Sequence, residues 1–161
     1  MNAADPSGLA RLRFLGETVA AEAAHLATTD GRLFALPFTE ERARSLAADA
    51  DLSERVDAFV ARFGRLQDTI GDKLLPALLA QLAEPVGSAI DNLERAERLG
   101  FVASADLWLQ ARRLRNRMVH EYVRDPAMLA AALQAGHAFV PLLQQTAATL
   151  GTELQRRFGE A

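Results

Sequence analysis

Ala105-Asp106-Leu107-Trp108-Leu109-Gln110-Ala111-Arg112-Arg113-Leu114-Arg115-Asn116-Arg117-Met118-Val119-His120-Glu121-Tyr122-Val123 is predicted to form one continuous helix. Ser104 stands before it as an N-cap, and Asp125-Pro126 closes it, because the residue before a proline is pushed out of the helical region. Advancing about 100° per residue, Leu107, Ala111, Leu114 and Met118 fall within about 60° of one another and predict a core stripe. Arg115 and Tyr122 fall on the flank of that stripe, and Asn116 and His120 on the far side. Trp108 also flanks it and reads as core. The stretch is an amphipathic helix with an apolar face to bury and an unusual set of polar groups on the rest.

Outward from it the same period recurs. Leu9, Leu12, Leu15, Val19, Ala23 and Leu26 predict a first helix over 7–27, stopped by Thr28-Thr29-Asp30-Gly31. Residues 32–38 read as irregular, and Thr39 caps a short helix through about residue 48. Val56, Phe59, Phe63, Leu66 and Ile70 mark a longer helix opened by Asp51 or Ser53, which Pro76 kinks or splits on its way to Leu82. A helix over 85–99 ends at Gly100, and a last one runs over 127–150 with a frayed tail beyond. No strand pattern or repeat interrupts the series. The expectation is one all-α domain over 1–161: an antiparallel up-and-down bundle of four main helices plus a short extra helix.

Composition narrows the function classes. The chain has 161 residues, 50% hydrophobic and 24% charged, which suits a soluble globular domain. It has no cysteine, so thiolate catalysis, disulfides and cysteine-bound metal are excluded. Its three histidines, His25, His120 and His137, lie far apart, so no metal site and no cofactor is expected. The apolar run 74–79 is far short of the ~20 residues that span a bilayer, and no signal peptide is visible. The expected location is cytoplasmic, with no membrane partner.

Net charge is −3, against bulk attraction to nucleic acid. Locally the balance reverses. Arg112, Arg113, Arg115, Arg117 and Arg124 stand within 14 residues against Glu121 alone. Arginine and histidine together can cleave a phosphodiester: the guanidinium stabilises charge building on phosphorus, and the imidazole moves protons. Arg115 and His120 lie about 140° apart on a straight helix, so one helix presents them awkwardly. A two-fold homodimer packed on this face sets two copies of the motif around one groove. Elsewhere, Asp68 and Arg65 are expected in a salt bridge, or else orienting Arg115 or contacting substrate, His137 packed in or at the rim of the core, and His25 in a cap role.

Arg115-Asn116, three residues, His120, one residue, Tyr122, near the end of a late helix in an all-α bundle, resembles the signature of the HEPN superfamily. The likeness is closest to the HepT-like toxins. Residues 62–69 and 92–100 also resemble segments of that family, so the likeness covers about 50–150; residues 1–50, an N-terminal helix and a short helical or irregular segment, are less diagnostic. The resemblance implies a metal-independent endoribonuclease that works as a homodimer, with Arg115 and His120 as the catalytic pair and Asn116 as their polar companion. Arg112, Arg113 and Arg117 become candidate RNA contacts. It also implies a toxin silenced by a cognate minimal nucleotidyltransferase antitoxin that transfers AMP to Tyr122. The competing reading is a non-catalytic HEPN module that binds a nucleotide or a nucleotidyltransferase.

Overall fold

The computed structural model describes residues 5–120 and 125–159, without the side chains of Val119 and His120. Among them every regular element is helical: α1 (Pro6–Leu33), α2 (Glu40–Arg44) running into a 3-10 turn (Ser45–Ala48), α3 (Ala50–Asp68), a π turn (Thr69–Leu74), α4 (Leu75–Gln81), α5 (Ala89–Arg98), α6 (Ala105–His120) and α7 (Pro126–Phe158). Four long rods make the bundle: α1, α3 with its continuation into α4, α6 and α7. The ten-residue α5 and the short α2 are additions to it.

Side-chain bonds across the rods give their directions. Arg13 donates to the carbonyl of Phe158, Gln144 to that of Ala23, and His137 Nδ1 meets Asp30 Oδ1 at 2.7 Å, so α7 runs antiparallel to α1. Arg62 donates to the carbonyl of His25, and Thr69 to Glu22, so α3 also runs antiparallel to α1. Gly64 lies against Arg115 and Gly71 against Trp108, so α6 is antiparallel to α3. The core fills the space between them with Leu12, Leu26, Phe59, Phe63, Trp108 and Leu133, all but excluded from water. Gly136 on α7 lets Phe59 and Met118 close on it: an added Cβ would sit 3.1 Å and 3.3 Å from their nearest atoms.

Several boundaries differ from the sequence reading. The first helix does not stop at Thr28 but runs to Leu33, because Thr29 and Leu33 continue its buried stripe. Its last turns are also pinned from outside, by Arg62 on Thr29 and His137 on Asp30. His25 is therefore an exposed mid-helix residue, not a cap. The long middle helix opens at Asp49, whose carboxylate accepts from Leu52 N. It is not broken at Pro76: the chain passes through the π turn, and Pro76, with no N–H to offer those carbonyls, sits in the first turn of α4. α5 begins at Ala89 rather than Pro85, with Ser88 as its N-cap, because Ser88 and Asp91 cap each other's backbone while Asn92 holds Gly87.

Gly100 ends α5 as expected, at φ 81, with Phe101 N returning to Ala96 O at 2.8 Å. The tail after Leu150 is not frayed. It stays helical to Phe158 because Leu154 packs at Gly16 and Arg157 lies over the Phe101 ring at 5.8 Å. By length and composition α7 alone among the described helices is apolar enough to cross a membrane, though Leu129, Leu133, Val140, Leu143 and Leu150 place its apolar stripe in the core.

Candidate functional site

The apolar stripe of α6 is rotated from the one drawn on the sequence. Leu107 is 43% exposed, while Ala105, Trp108, Ala111, Leu114 and Met118 are buried. An indole removes far more surface from water than a leucine does, so the helix turns Trp108 inward and Leu107 out. Arg115, placed on the flank by the sequence reading, therefore lies on the seam between α6 and α3. Asn116 is exposed, as its position opposite the stripe requires.

Two glycines shape that seam. Gly64 and Gly71 are seven residues apart on the α3 rod, and Arg115 and Trp108 are seven apart on α6. The rods are antiparallel, so each glycine faces one large side chain. A Cβ on Gly64 would lie 2.9 Å from Arg115 Nε and 3.3 Å from its Cγ, so the arginine stem occupies the volume that a side chain would need. At Gly71 the added Cβ would lie 3.4 Å from Trp108 Nε1 and 3.8 Å from Arg112 Nη1.

Carboxylates on the same rod receive the arginines. Arg115 Nη2 reaches Asp68 Oδ2 at 3.1 Å, and its Nη1 reaches Asn116 Oδ1 at 3.3 Å. Arg112 grips Asp72 with both terminal nitrogens, at 3.0 Å and 3.4 Å. The ion pair expected of Asp68 is thus made with Arg115, and Arg65 stays exposed beside it. Arg113 and Arg117 are exposed on the outer face of α6. The His120 side chain and Tyr122 lie outside the described residues. Asn116 and Asp68 are the predicted companions that the structure brings to Arg115 among the described residues.

No family model, no curated protein and no solved structure matches the chain. The chemistry of the seam has to be read from its own residues.

A guanidinium held on one edge by Asp68 and Asn116 keeps a defined direction and still has N–H groups to present, since arginine carries five. Its pair is about one-third exposed on each side, so the ion pair orients more than it stabilises. Behind α3, Glu22 accepts from Thr69 Oγ1 at 3.1 Å, and its other oxygen is buried without a partner among the described residues. Burial pushes its carboxyl above the usual range, opposed by the Thr69 hydrogen bond and by Arg65 and Lys73, and reinforced by Asp68. Gln67, one turn from both glycines, is buried, and neither its amide atoms nor the buried Trp108 Nε1 has a hydrogen-bond partner among the described residues.

Sequence reasoning missed Asp72, Gly64, Gly71 and the free N–H of Trp108. The repeat of glycine at seven with acids at 68 and 72 is a signal visible in the chain. His137 sits at the rim, 48% exposed, stacked on Phe34 at 4.3 Å and paired with Asp30, which is a structural post. A groove of about 890 Å³ between α1 and α7 is lined by Ala20, Ala24, Ala148 and Gly151 and offers no acid–base pair. Among the described residues no group of three or more His, Asp or Glu is placed to hold a metal.

Proposed function

We propose that this chain is a metal-independent endoribonuclease of the HEPN type, acting as the toxin of a toxin–antitoxin pair. The observation that carries the reading is the arginine of the motif: Arg115 is held between Asp68 and Asn116 on the surface, five residues before His120 on the same helix. A guanidinium so fixed spans two phosphate oxygens and is charged at any physiological pH.

In the proposed reaction RNA supplies its own nucleophile. The 2′-oxygen attacks phosphorus as its proton leaves, the bond to the 5′-oxygen breaks, and that oxygen takes up a proton. Arg115 stabilises the extra charge on the phosphoryl oxygens, and His120 transfers protons. In a two-fold homodimer two copies of His120 share one groove, one accepting and one donating. Arg112, Arg113 and Arg117 extend the positive surface for the strand. DNA, lacking the 2′-hydroxyl, is not a substrate of this chemistry. The partner in this reading is a small nucleotidyltransferase that attaches AMP to Tyr122, adding negative charge and bulk two residues from His120.

Expression of the wild type and of His120→Ala in a bacterial host tests the reading. The wild type arrests growth and fragments RNA, and the variant does neither. Equal growth and intact RNA in both across a range of expression would overturn it. Co-expression with a cognate nucleotidyltransferase restores growth and leaves an AMP adduct on Tyr122, visible by mass spectrometry.

A further inference from the structure

A second group of arginines lies on the far side of α3 from Arg115. The end of α1 and the first half of α3 enclose a pocket of about 390 Å³, lined by Arg32, Arg55 and Arg62 with Thr29, Asp51 and Glu54. Arg62 is two residues from Gly64 and so about 160° round the helix, which puts this pocket and the Arg115 seam on opposite sides of the rod. Arg55 stands two turns before Arg62 on the same face, and Arg32 comes from the last turn of α1.

These cations lack counter-charges. Arg62 is held by neutral acceptors: its Nη1 donates to the carbonyl of His25 at 3.1 Å and to the buried Thr29 hydroxyl. Its other donors have no partner among the described residues, and Arg32, Arg55, Asp51 and Glu54 make no side-chain hydrogen bond or ion pair there. By contrast Arg95, Arg112 and Arg115, half-buried like Arg55 and Arg62, each face a carboxylate. A half-buried guanidinium without a counter-charge gives up hydration and gains no Coulomb energy in return, so two of them on one pocket wall call for an anion.

We propose that this pocket binds a single dianionic phosphate group, carried free or as a small monoester, on Arg32, Arg55 and Arg62. Guanidinium forks take phosphate oxygens in pairs, and Arg62 arrives with one nitrogen anchored and the others open. The volume lies in the range of small-ligand sites and leaves room for the body of an ester beside the phosphate. Asp51 and Glu54, at the start of α3, can accept from hydroxyls of that body. They also repel any further phosphate, so one terminal group fits and a continuous nucleic-acid backbone does not. The site stands whether or not α6 cleaves RNA.

The test is an NMR titration of isotope-labelled protein with inorganic phosphate and with ribose 5-phosphate, each against chloride at equal ionic strength, above the second phosphate pKa of about 6. Saturable shifts are expected at the amides of Thr29, Arg32, Arg55 and Arg62, with a Kd below about 1 mM for the tighter ligand, and no such shifts with chloride. Tighter binding of ribose 5-phosphate assigns the pocket to an ester, and equal binding to the free ion. Arg55→Gln loses no bond within the fold and weakens both ligands on the order of tenfold, Arg32→Gln weakens them further, and Arg98→Gln, exposed on α5, changes nothing. Arg62 is kept because it also ties α3 to α1. Shifts that never saturate, shifts equal to those with chloride, or an unchanged affinity in Arg55→Gln overturn the proposal, the arginines then being only a solvated rim.

Discussion

Arg115 and Asp68 meet across the seam of α3 and α6, guanidinium to carboxylate at 3.1 Å, with the arginine stem lying where a side chain on Gly64 would be. The contact fixes the direction of the one arginine that the proposed chemistry depends on. Each partner is more than one-third exposed, so the pair contributes only about 0–1 kcal/mol to stability. Asp68→Asn therefore leaves the unfolding midpoint nearly unchanged. Misdirection of Arg115 lowers kcat on the order of 10- to 100-fold, with a smaller effect on RNA affinity. A kcat equal to wild type would show that Asp68 does not position the arginine.

Gly64→Ala tests the same geometry from the other side. The new Cβ falls 2.9 Å from Arg115 Nε, so the arginine has to leave the seam. Alanine is the better helix former by about 1 kcal/mol, which offsets lost packing, so helicity and thermal midpoint hold while cleavage falls. Circular dichroism with a cleavage assay on one sample checks both halves.

How much of this was legible in the chain depends on which interactions are local. Asp5, Thr39, Ser88, Ser104 and Asp125 each accept backbone bonds at the start of a helix; Thr39 and Ser104 are read as caps from the sequence, whereas Asp5, Ser88 and Asp125 are not, although their partners are equally local. Helix ends held by distant residues cannot be read locally: the last turn of α1 depends on Arg62 and His137, and the tail of α7 on Gly16 and Phe101. The tail did carry a local sign, since Leu150, Leu154 and Phe158 continue at four-residue spacing.

At the site, Asn116 was placed correctly from the period alone. Arg115 was set one flank away because the stripe was phased on Leu107 instead of Trp108. The glycine register with α6 needed the third dimension, because nothing in a single chain says which helix faces which.

Ala83 sits in the left-handed region at φ 55, with Glu84 N bonded to Leu79 O at 2.9 Å and Ala83 N to Ala80 O at 3.1 Å. This is the helix-ending geometry that glycine adopts without a Cβ penalty. Ala83→Gly stabilises the protein by about 1 kcal/mol, read as a higher urea midpoint at constant m-value. A lower midpoint would contradict the assigned backbone conformation.

Glu22 gives a pH signature. Its carboxyl is raised in the folded state, chiefly by burial, so between the ordinary carboxylate pKa and the raised one the native state binds more protons than the unfolded chain. Stability at this residue is full below that window and is lost as pH rises through it. Glu22→Gln keeps an acceptor for Thr69 and removes the charge. The variant is more stable than wild type near neutral pH, and the gap closes as both are taken below the ordinary carboxylate range. A gap that widens on acidification would reverse the sign of this account.

In the proposed reaction Arg115 and His120 cleave RNA without a metal. The direct measurement is incubation of purified protein with end-labelled RNA in excess chelator, with the fragment ends identified. Wild type is expected to leave 2′,3′-cyclic phosphate and 5′-hydroxyl ends, and Arg115→Ala and His120→Ala to leave the RNA whole. RNA that stays intact with wild type, or that His120→Ala cuts equally well, would contradict the account.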